Sequence, residues 1–205
     1  MKRKGFTLIE VLVTIAIIAL IAALLFPIFA RKRVPGGPQC MSNLKQISLG
    51  LLQYIQDNNG KFPPVASSGA TYGWVESIFD YTKTNAIFRC PAAKHTQRGG
   101  NPNQRGFTDY WYNRNMARKD EIKITNSDSL IMLGDGNDGE DNSDTCYSLN
   151  ALPAKWINDQ NSPLYRHDGA ANYAFADGHV KRLKPQEILS SPESYTFQVS
   201  YLHLK

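Results

Sequence analysis

The order of hydrophobic and polar positions separates a long apolar stretch near the start of the chain from a more polar remainder. Residues 6–30, FTLIEVLVTIAIIALIAALLFPIFA, contain a single charged residue. A helix of about 20 apolar residues spans a bilayer, whereas the apolar core of a secretory signal peptide has only about 7–15. We therefore predict a transmembrane helix over residues 6–30, preceded by a basic leader over residues 1–5.

A basic linker rich in proline and glycine follows the apolar stretch over residues 31–38, RKRVPGGP. Prolines around consecutive glycines break a helix. We expect the helix to be interrupted near Pro35–Pro38. The alternative is that the helix continues through residues 34–38 and that the linker forms a hinge in it. The remaining segment, residues 39–205, is long enough for a single modest core.

A helical period returns in residues 41–57, where apolar residues recur at spacings of three and four. Asn58-Asn59-Gly60 supplies a stop signal at the end of this pattern. We predict an amphipathic helix that packs against a sheet. Its expected buried face consists of Leu44, Ile47, Leu51, Tyr54 and Ile55.

Shorter patterns predict the other elements. Residues 74–82 predict a helix, residues 91–108 a loop rich in glycine, proline and asparagine, and residues 129–135 a strand. Residues 194–204 alternate between apolar and polar positions, as strands do. Together the patterns predict an α+β fold in which the amphipathic helix packs on an antiparallel sheet.

A hairpin is predicted where Asp177-Gly178 lies between two alternating runs. This dipeptide favours a two-residue type I′ loop, because both loop positions need positive φ. Such a loop fixes which residues face each other across the strands. The expected pairs are Phe175 with Val180 and Tyr173 with Arg182.

The charge of the chain does not indicate a nucleic-acid partner. The formal net charge is +5. It falls to +2 if the chain is cut after Gly5, because Lys2, Arg3 and Lys4 leave with the leader. The remaining arginines are scattered, which is typical of a solvated face.

Glu10 is the one charge in the apolar stretch, and its position suggests a partner. A carboxylate near the centre of an inserted helix costs about 2.5–3.5 kcal/mol, and near a helix end the simplest interpretation is that it reaches for the interface. After a cut between Gly5 and Phe6, the new α-amine lies one helical turn from Glu10 on the same face. In a stack of such helices, the carboxylate of one subunit neutralises the amine of its neighbour.

A basic leader ending in Gly5, followed by FTLIEVLVTIAIIALIAALLFPIFA, resembles the class III signal of type IV prepilins and type II secretion pseudopilins. The resemblance implies cleavage after Gly5 by a prepilin peptidase, N-methylation of Phe6 and a subunit-docking role for Glu10. It also places Pro27 where many pilins carry a proline that loosens the helix, since proline removes one backbone donor.

Other segments extend the resemblance. His167, nine intervening residues and then Asp177-Gly178 resemble a C-terminal signature of certain bacterial pilin-like proteins, and the segments around Cys40 and Cys90 resemble further parts of them. The three cysteines allow three single bridges, and disulfides persist outside the cytoplasm. The resemblance implies the Cys40–Cys90 pair and leaves Cys146 free.

Catalytic chemistry is not predicted. His167, Asp168, Asp177 and His179 lie near each other in sequence, but they lack the HExxH spacing and any nucleophile motif. We expect His167 to bond a turn and Asp177 to stabilise its hairpin loop. The prediction is a protein that is not an enzyme.

An acidic segment, LGDGNDGEDNSDTC, offers oxygen ligands of the kind that calcium prefers. The candidate ligands are Asp135, Asn137, Asp138 and Asp141. The EF-hand register fails, because position six after an Asp135 start is Glu140 and not glycine. We expect a solvated loop and no cofactor, with Ca²⁺ as the alternative.

The resemblance implies a filament subunit held in the inner (cytoplasmic) membrane by one helix, with its globular domain outside the cytoplasm before assembly at the cell surface or in the periplasm. Its partners would be like subunits, the prepilin peptidase and the inner-membrane assembly platform. The first alternative is a minor pilin that binds a ligand, a surface or DNA. The second is a membrane-anchored hydrolase, which requires His167 and Asp177 to converge in a cleft.

Overall fold

The computed structural model describes residues 7–29, 37–65, 73–94, 100–102, 106–136, 148–189 and 196–198. The chain forms two compact units, Met1–Arg33 and Val34–Lys205. The first contains one helix, and the second contains a sheet with helices.

Helix α1, Leu8–Phe29, forms the first unit. Residues 7–25 are all exposed within it, and its segment Leu8–Leu25 is long and apolar enough to cross a membrane by length and composition. The helix continues through position 27 and ends at Phe29, so the chain does not leave the helical conformation at Pro27. The loosening expected at Pro27 stays a prediction.

Helix α2, Gly37–Asp57, begins the second unit four residues before the predicted start. Gly37 and Pro38, which the sequence pattern assigned to the linker, lie in its first turn, where a proline costs little because those N–H groups have no helical partner. The periodic face is the one expected. Leu44, Ile47, Leu51 and Ile55 are fully buried, and Tyr54 is half-buried.

The end of α2 follows the predicted stop. Asn59 and Gly60 adopt left-handed conformations, with φ of 56° and 70°. The Gly60 N–H donates to the carbonyl oxygen of Ile55 at 2.9 Å, which satisfies a carbonyl that the helix leaves open. Helix α3 spans Trp74–Thr82, as predicted. The residue that caps its C-terminal end, Lys83, is left-handed with φ of 53°.

Five strands form one sheet in the order β3-β1-β2-β4-β5. Three neighbouring pairs are antiparallel, whereas β1 and β3 are parallel. The sheet is therefore mixed at one edge rather than wholly antiparallel as expected, and the α+β class holds. The strands are β1 Tyr110–Asn113, β2 Ile131–Asp135, β3 Ser148–Leu149, β4 Ala171–Phe175 and β5 Val180–Leu183. The described residues of this unit also form two short α-helices, α4 Ala154–Asn158 and α5 Pro185–Leu189, and four single-turn 3-10 helices.

The three central strands, β1, β2 and β4, are buried at every position. Since alternate side chains of a strand point to opposite sides, both faces of the sheet are covered there. Ala174 of β4 belongs to the apolar cluster that contains α2, α3 and Leu133. Its neighbours Tyr173 and Phe175 belong to a second cluster with Trp111 and Trp156.

The β4–β5 hairpin differs from the predicted one by a single residue. Ala174 pairs with Val180, and the Phe175 N–H donates to the carbonyl oxygen of His179 at 2.9 Å. The loop therefore has three residues, 176–178, and positive φ occurs at Gly178 (84°) but not at Asp177. The Gly178 N–H donates to the carbonyl oxygen of Phe175 at 2.8 Å, and a three-residue loop with a left-handed glycine in its last position is a common hairpin connection. The prediction of a two-residue type I′ loop, with Phe175 opposite Val180 and Tyr173 opposite Arg182, was wrong.

Two further predictions are tested only in part. The described residues between 91 and 108 contain neither a helix nor a strand. In the predicted strand 194–204, only residues 196–198 are described, and Thr196 forms a parallel bridge with Leu130. The rest of that strand lies outside the described residues.

Candidate functional site

The N-terminal end of α1 is a capping box. The backbone N–H of Thr7 donates to Oε2 of Glu10 at 2.7 Å, and the Thr7 hydroxyl donates to the same oxygen at 2.8 Å. The Glu10 N–H donates in return to the Thr7 hydroxyl at 3.4 Å. A Thr-x-x-Glu motif at a helix start satisfies two open donors in this way. Sequence reasoning missed this role, although the motif is readable; Gly5 and Phe6 lie outside the described residues.

A second group of polar side chains lies in the interior of residues 34–205. The structure joins Cys40, in the first turn of α2, to Cys90 by a disulfide with Cα atoms 5.3 Å apart. This is the pair that the resemblance implies, and Cys146 lies outside the described residues. Asn43, one turn along α2, donates to the carbonyl oxygen of Arg89 at 2.7 Å. The start of α2 is thereby attached to the Cys90 segment by a covalent and a polar contact.

The ring of His167 lies beside this disulfide. It is fully buried, and its Nε2 is 3.1 Å from Oδ2 of Asp135 and 3.5 Å from Sγ of Cys90. Its backbone N–H donates to the carbonyl oxygen of Ala170 at 2.9 Å. The expectation that His167 bonds a turn therefore applies to its backbone, whereas its side chain pairs with a carboxylate that the sequence did not suggest.

Asp135, the partner of this histidine, is the last residue of β2. Its Oδ2 also accepts the Asn172 N–H at 2.7 Å, and its backbone oxygen accepts Nε1–H of Trp111 at 2.9 Å. The residue is fully buried, so one of the four candidate calcium ligands points into the interior. The other three, Asn137, Asp138 and Asp141, lie outside the described residues.

Arg166 and Asp109 extend the cluster. Arg166 donates from Nη2 to the Gly136 carbonyl oxygen at 2.6 Å, and its Nη1 lies 3.9 Å from Oδ1 of Asp135. Oδ2 of Asp109 accepts the Cys90 N–H at 2.7 Å. The buried cluster, defined here as Cys40, Cys90, Asp109, Asp135, Arg166 and His167, therefore connects α2, the start of β1, the end of β2 and the turn before β4.

The surroundings of the buried cluster hold two neutral phenols. Burial raises the pKa of Tyr110 far above its usual range, and the nearby negative charge of Asp135 raises it further. Burial and Asp135 have the same effects on the pKa of Tyr173. Both side chains thus stay protonated at physiological pH and add no charge to the cluster.

The geometry does not form a catalytic triad. Such a triad needs the nucleophile at one ring nitrogen and the orienting carboxylate at the other, but Cys90 and Asp135 both face Nε2 of His167. The sulfur of Cys90 is held in the disulfide. Nor do His167 and Asp177 pair, because Asp177 bonds His179.

Asp177 and Gly178 stabilise the hairpin tip. Oδ1 of Asp177 accepts the His179 N–H at 3.0 Å, as expected for a residue that serves its loop. Nζ of Lys45 donates a hydrogen bond to the carbonyl oxygen of Gly178 at 2.7 Å. A Cβ atom added at position 178 would lie only 2.8 Å from Cδ1 of Leu52. The tip therefore packs closely on α2, and the three signature positions act structurally at two separate places.

Comparison with known families gives a match at the N-terminus. Residues 1–26 match the model of the prokaryotic N-terminal methylation motif. Comparison with curated proteins and with solved structures gives no match. The motif, together with the apolar helix that it overlaps, is similar to the N-terminus of type IV pilin-like proteins. It points to membrane anchoring, processing by a prepilin peptidase and a structural role.

Proposed function

We propose that the protein is a membrane-inserted subunit of a type IV pilus-like or type II secretion pseudopilus filament, cleaved after Gly5, methylated on Phe6 and assembled through its N-terminal helix. The observation that carries this proposal is the methylation motif in residues 1–26. Most of the 22-residue helix Leu8–Phe29 lies within this motif, and its side chains are exposed over residues 8–25. An apolar helix without cover from its own unit needs lipid or like helices around it.

In this proposal the second unit lies outside the cytoplasm. A disulfide between Cys40 and Cys90 suits this location, because such bonds persist in oxidising compartments. The buried cluster and the two apolar clusters give this unit a fixed shape. A fixed shape is what a repeating subunit needs in order to make the same contacts at every position.

In this proposal Glu10 has two roles, to cap its own helix and to bind the amine of a neighbouring subunit, and its two carboxylate oxygens allow both. The capping box uses Oε2, and among the described residues Oε1 accepts no hydrogen bond. A neighbouring subunit's Phe6 amine can therefore bind at Oε1 while the cap stays closed. In this arrangement the local motif fixes the orientation of the carboxylate before the neighbour arrives.

The mass of the mature N-terminus tests the proposal. Protein extracted from membranes of the native host should begin with methylated Phe6, and Gly5→Leu should leave the full leader in place because the peptidase no longer accepts the junction. The matched control is Gly36→Leu, which lies outside residues 1–26 and should be processed normally. An unmodified Met1 or Lys2 start in the wild-type protein would refute the proposal.

A further inference from the structure

Four metal-binding side chains converge inside the second unit. Ligand atoms of Cys40, Cys90, Asp135 and His167 all lie within 4.8 Å of one another, and all four residues are buried. The four residues lie in four segments that are far apart in sequence, so the convergence is a product of the tertiary fold. Two sulfurs with one imidazole and one carboxylate form a ligand set that suits zinc rather than calcium.

The distances fit a tetrahedral site once the disulfide is open. With usual zinc–ligand bond lengths, a tetrahedron has edges of about 3.6 Å between sulfur and nitrogen and about 3.4 Å between nitrogen and oxygen. The structure has 3.5 Å from Cys90 Sγ to His167 Nε2, and 3.1 Å from that nitrogen to Asp135 Oδ2. The two sulfurs have to separate to about 3.8 Å, and the other ligand atoms, which all lie within 4.8 Å of one another, need small adjustments.

We propose that the chain binds Zn²⁺ at Cys40, Cys90, Asp135 and His167 when the disulfide is reduced, so that metal and disulfide are alternative closures of one site. A dithiol reductant gives two electrons and two protons to the sulfur–sulfur bond and itself becomes a disulfide. The two new thiols then lose two protons as both thiolates bind Zn²⁺.

The polar groups around the site suit this exchange. Nδ1 of His167 is buried without a hydrogen-bond partner among the described residues, so the ring proton can move there and free Nε2. The contact that Nε2 makes with Asp135 at 3.1 Å is then replaced by the bonds of both side chains to Zn²⁺. Two thiolates and one carboxylate around Zn²⁺ leave a net charge of −1. Arg166, whose Nη1 lies 3.9 Å from Oδ1 of Asp135, offsets that charge.

The test uses the full chain in detergent. The protein is reduced with a water-soluble phosphine, which becomes a phosphine oxide with oxygen from water, then freed of reductant without air and titrated with Zn²⁺ against a chromophoric chelator. We expect one Zn²⁺ per reduced chain and at least tenfold weaker binding by the oxidised chain. Co²⁺ in place of Zn²⁺ should give the visible bands of a tetrahedral thiolate site.

Matched variants assign the ligands. Cys146→Ser should bind as the wild type does, whereas Cys40→Ser, Asp135→Ala and His167→Ala should each bind at least tenfold more weakly. A readout on the reduced wild-type chain covers the case in which a variant fails to fold. In the reduced wild-type chain, bound Zn²⁺ should slow alkylation of Cys40 and Cys90 but not of Cys146. Peptide mass spectrometry measures the alkylation of each cysteine. No zinc binding, or protection that includes Cys146 instead of this pair, would overturn the proposal.

Discussion

The two units of the chain place their apolar side chains in opposite ways. In α1 the apolar residues from Leu8 to Leu25 are exposed, whereas in residues 34–205 large apolar side chains such as Trp111 and Tyr112 are fully buried. The described part of the second unit thus covers most of its large apolar side chains by its own fold. The first can do so only with lipid or with other helices.

The titratable side chains of the two units also differ in exposure. Glu10 is exposed on an apolar helix and is bonded by a neighbour three residues away. Asp135 and His167 are fully buried and come together from distant parts of the chain. A charge in the first unit is therefore available to another molecule, whereas the charges in the second mainly fix its own fold. Each prediction below tests one side of this contrast, in order of its expected effect on the unfolding of residues 34–205.

Removing the disulfide should have the largest effect. Closing a loop of 50 residues stabilises by about 4 kcal/mol in the chain-entropy treatment, and measured values are commonly about 2–4 kcal/mol. We expect Cys40→Ala/Cys90→Ala to lower the free energy of unfolding by that amount in urea titrations of the full chain. Cys146→Ala is the matched control and should cost less than about 0.5 kcal/mol. Equal losses would mean that the Cys40–Cys90 bond does not form.

The buried His167–Asp135 pair should rank next. His167→Leu leaves a buried carboxylate without its imidazole donor, and such losses cost about 3 kcal/mol. His179→Leu is the matched control, because His179 also bonds an aspartate, Asp177, but its side chain is 33% exposed. That variant should cost no more than about 1 kcal/mol. Similar losses for the two histidines, measured by urea unfolding, would show that burial does not set the strength of these pairs.

Two glycines separate backbone strain from crowding at the hairpin tip. Gly178 and Gly169 both have positive φ, 84° and 78°, but an added Cβ meets Leu52 at 2.8 Å only at position 178. Left-handed conformation costs a non-glycine residue about 1–2 kcal/mol. Gly169→Ala should lose about that much, and Gly178→Ala should lose measurably more in the same unfolding assay. If the two losses match, the tip does not pack on α2 as closely as described.

Sequence patterns could predict the elements whose evidence is local. The α2 face and the helix at Trp74–Thr82 follow from spacing over a few turns, and Thr7-x-x-Glu10 was equally readable. The hairpin register was not, because Asp-Gly also fits a three-residue loop with glycine in the last position. No local pattern links Asp135 to His167. Their pairing depends on β2 lying beside β4, which only the tertiary fold determines.

The Glu10 variants should leave the second unit unchanged and affect only assembly. Glu10→Leu removes an unfavourable charge from the apolar helix, so membrane insertion should become easier. Filaments in the sheared fraction should nevertheless be lost, because lipid gives apolar helices little reason to choose one register. Thr7→Val removes the hydroxyl of the capping box but keeps the charge. Glu10→Gln keeps an acceptor for the Thr7 donors but loses the charge.

These two variants decide between the cap and the neighbour as the reason for the glutamate. If Glu10 binds a neighbour's amine, Glu10→Gln should lose filaments by at least tenfold, while Thr7→Val should retain most of them, since a cap contributes only about 1 kcal/mol to a helix. Both variants should still lose their leader, and both should show wild-type urea unfolding of residues 34–205. Normal filaments from Glu10→Gln together with lost filaments from Thr7→Val would assign the carboxylate to its own helix alone, and the contrast between the two units would then lie in their apolar surfaces only.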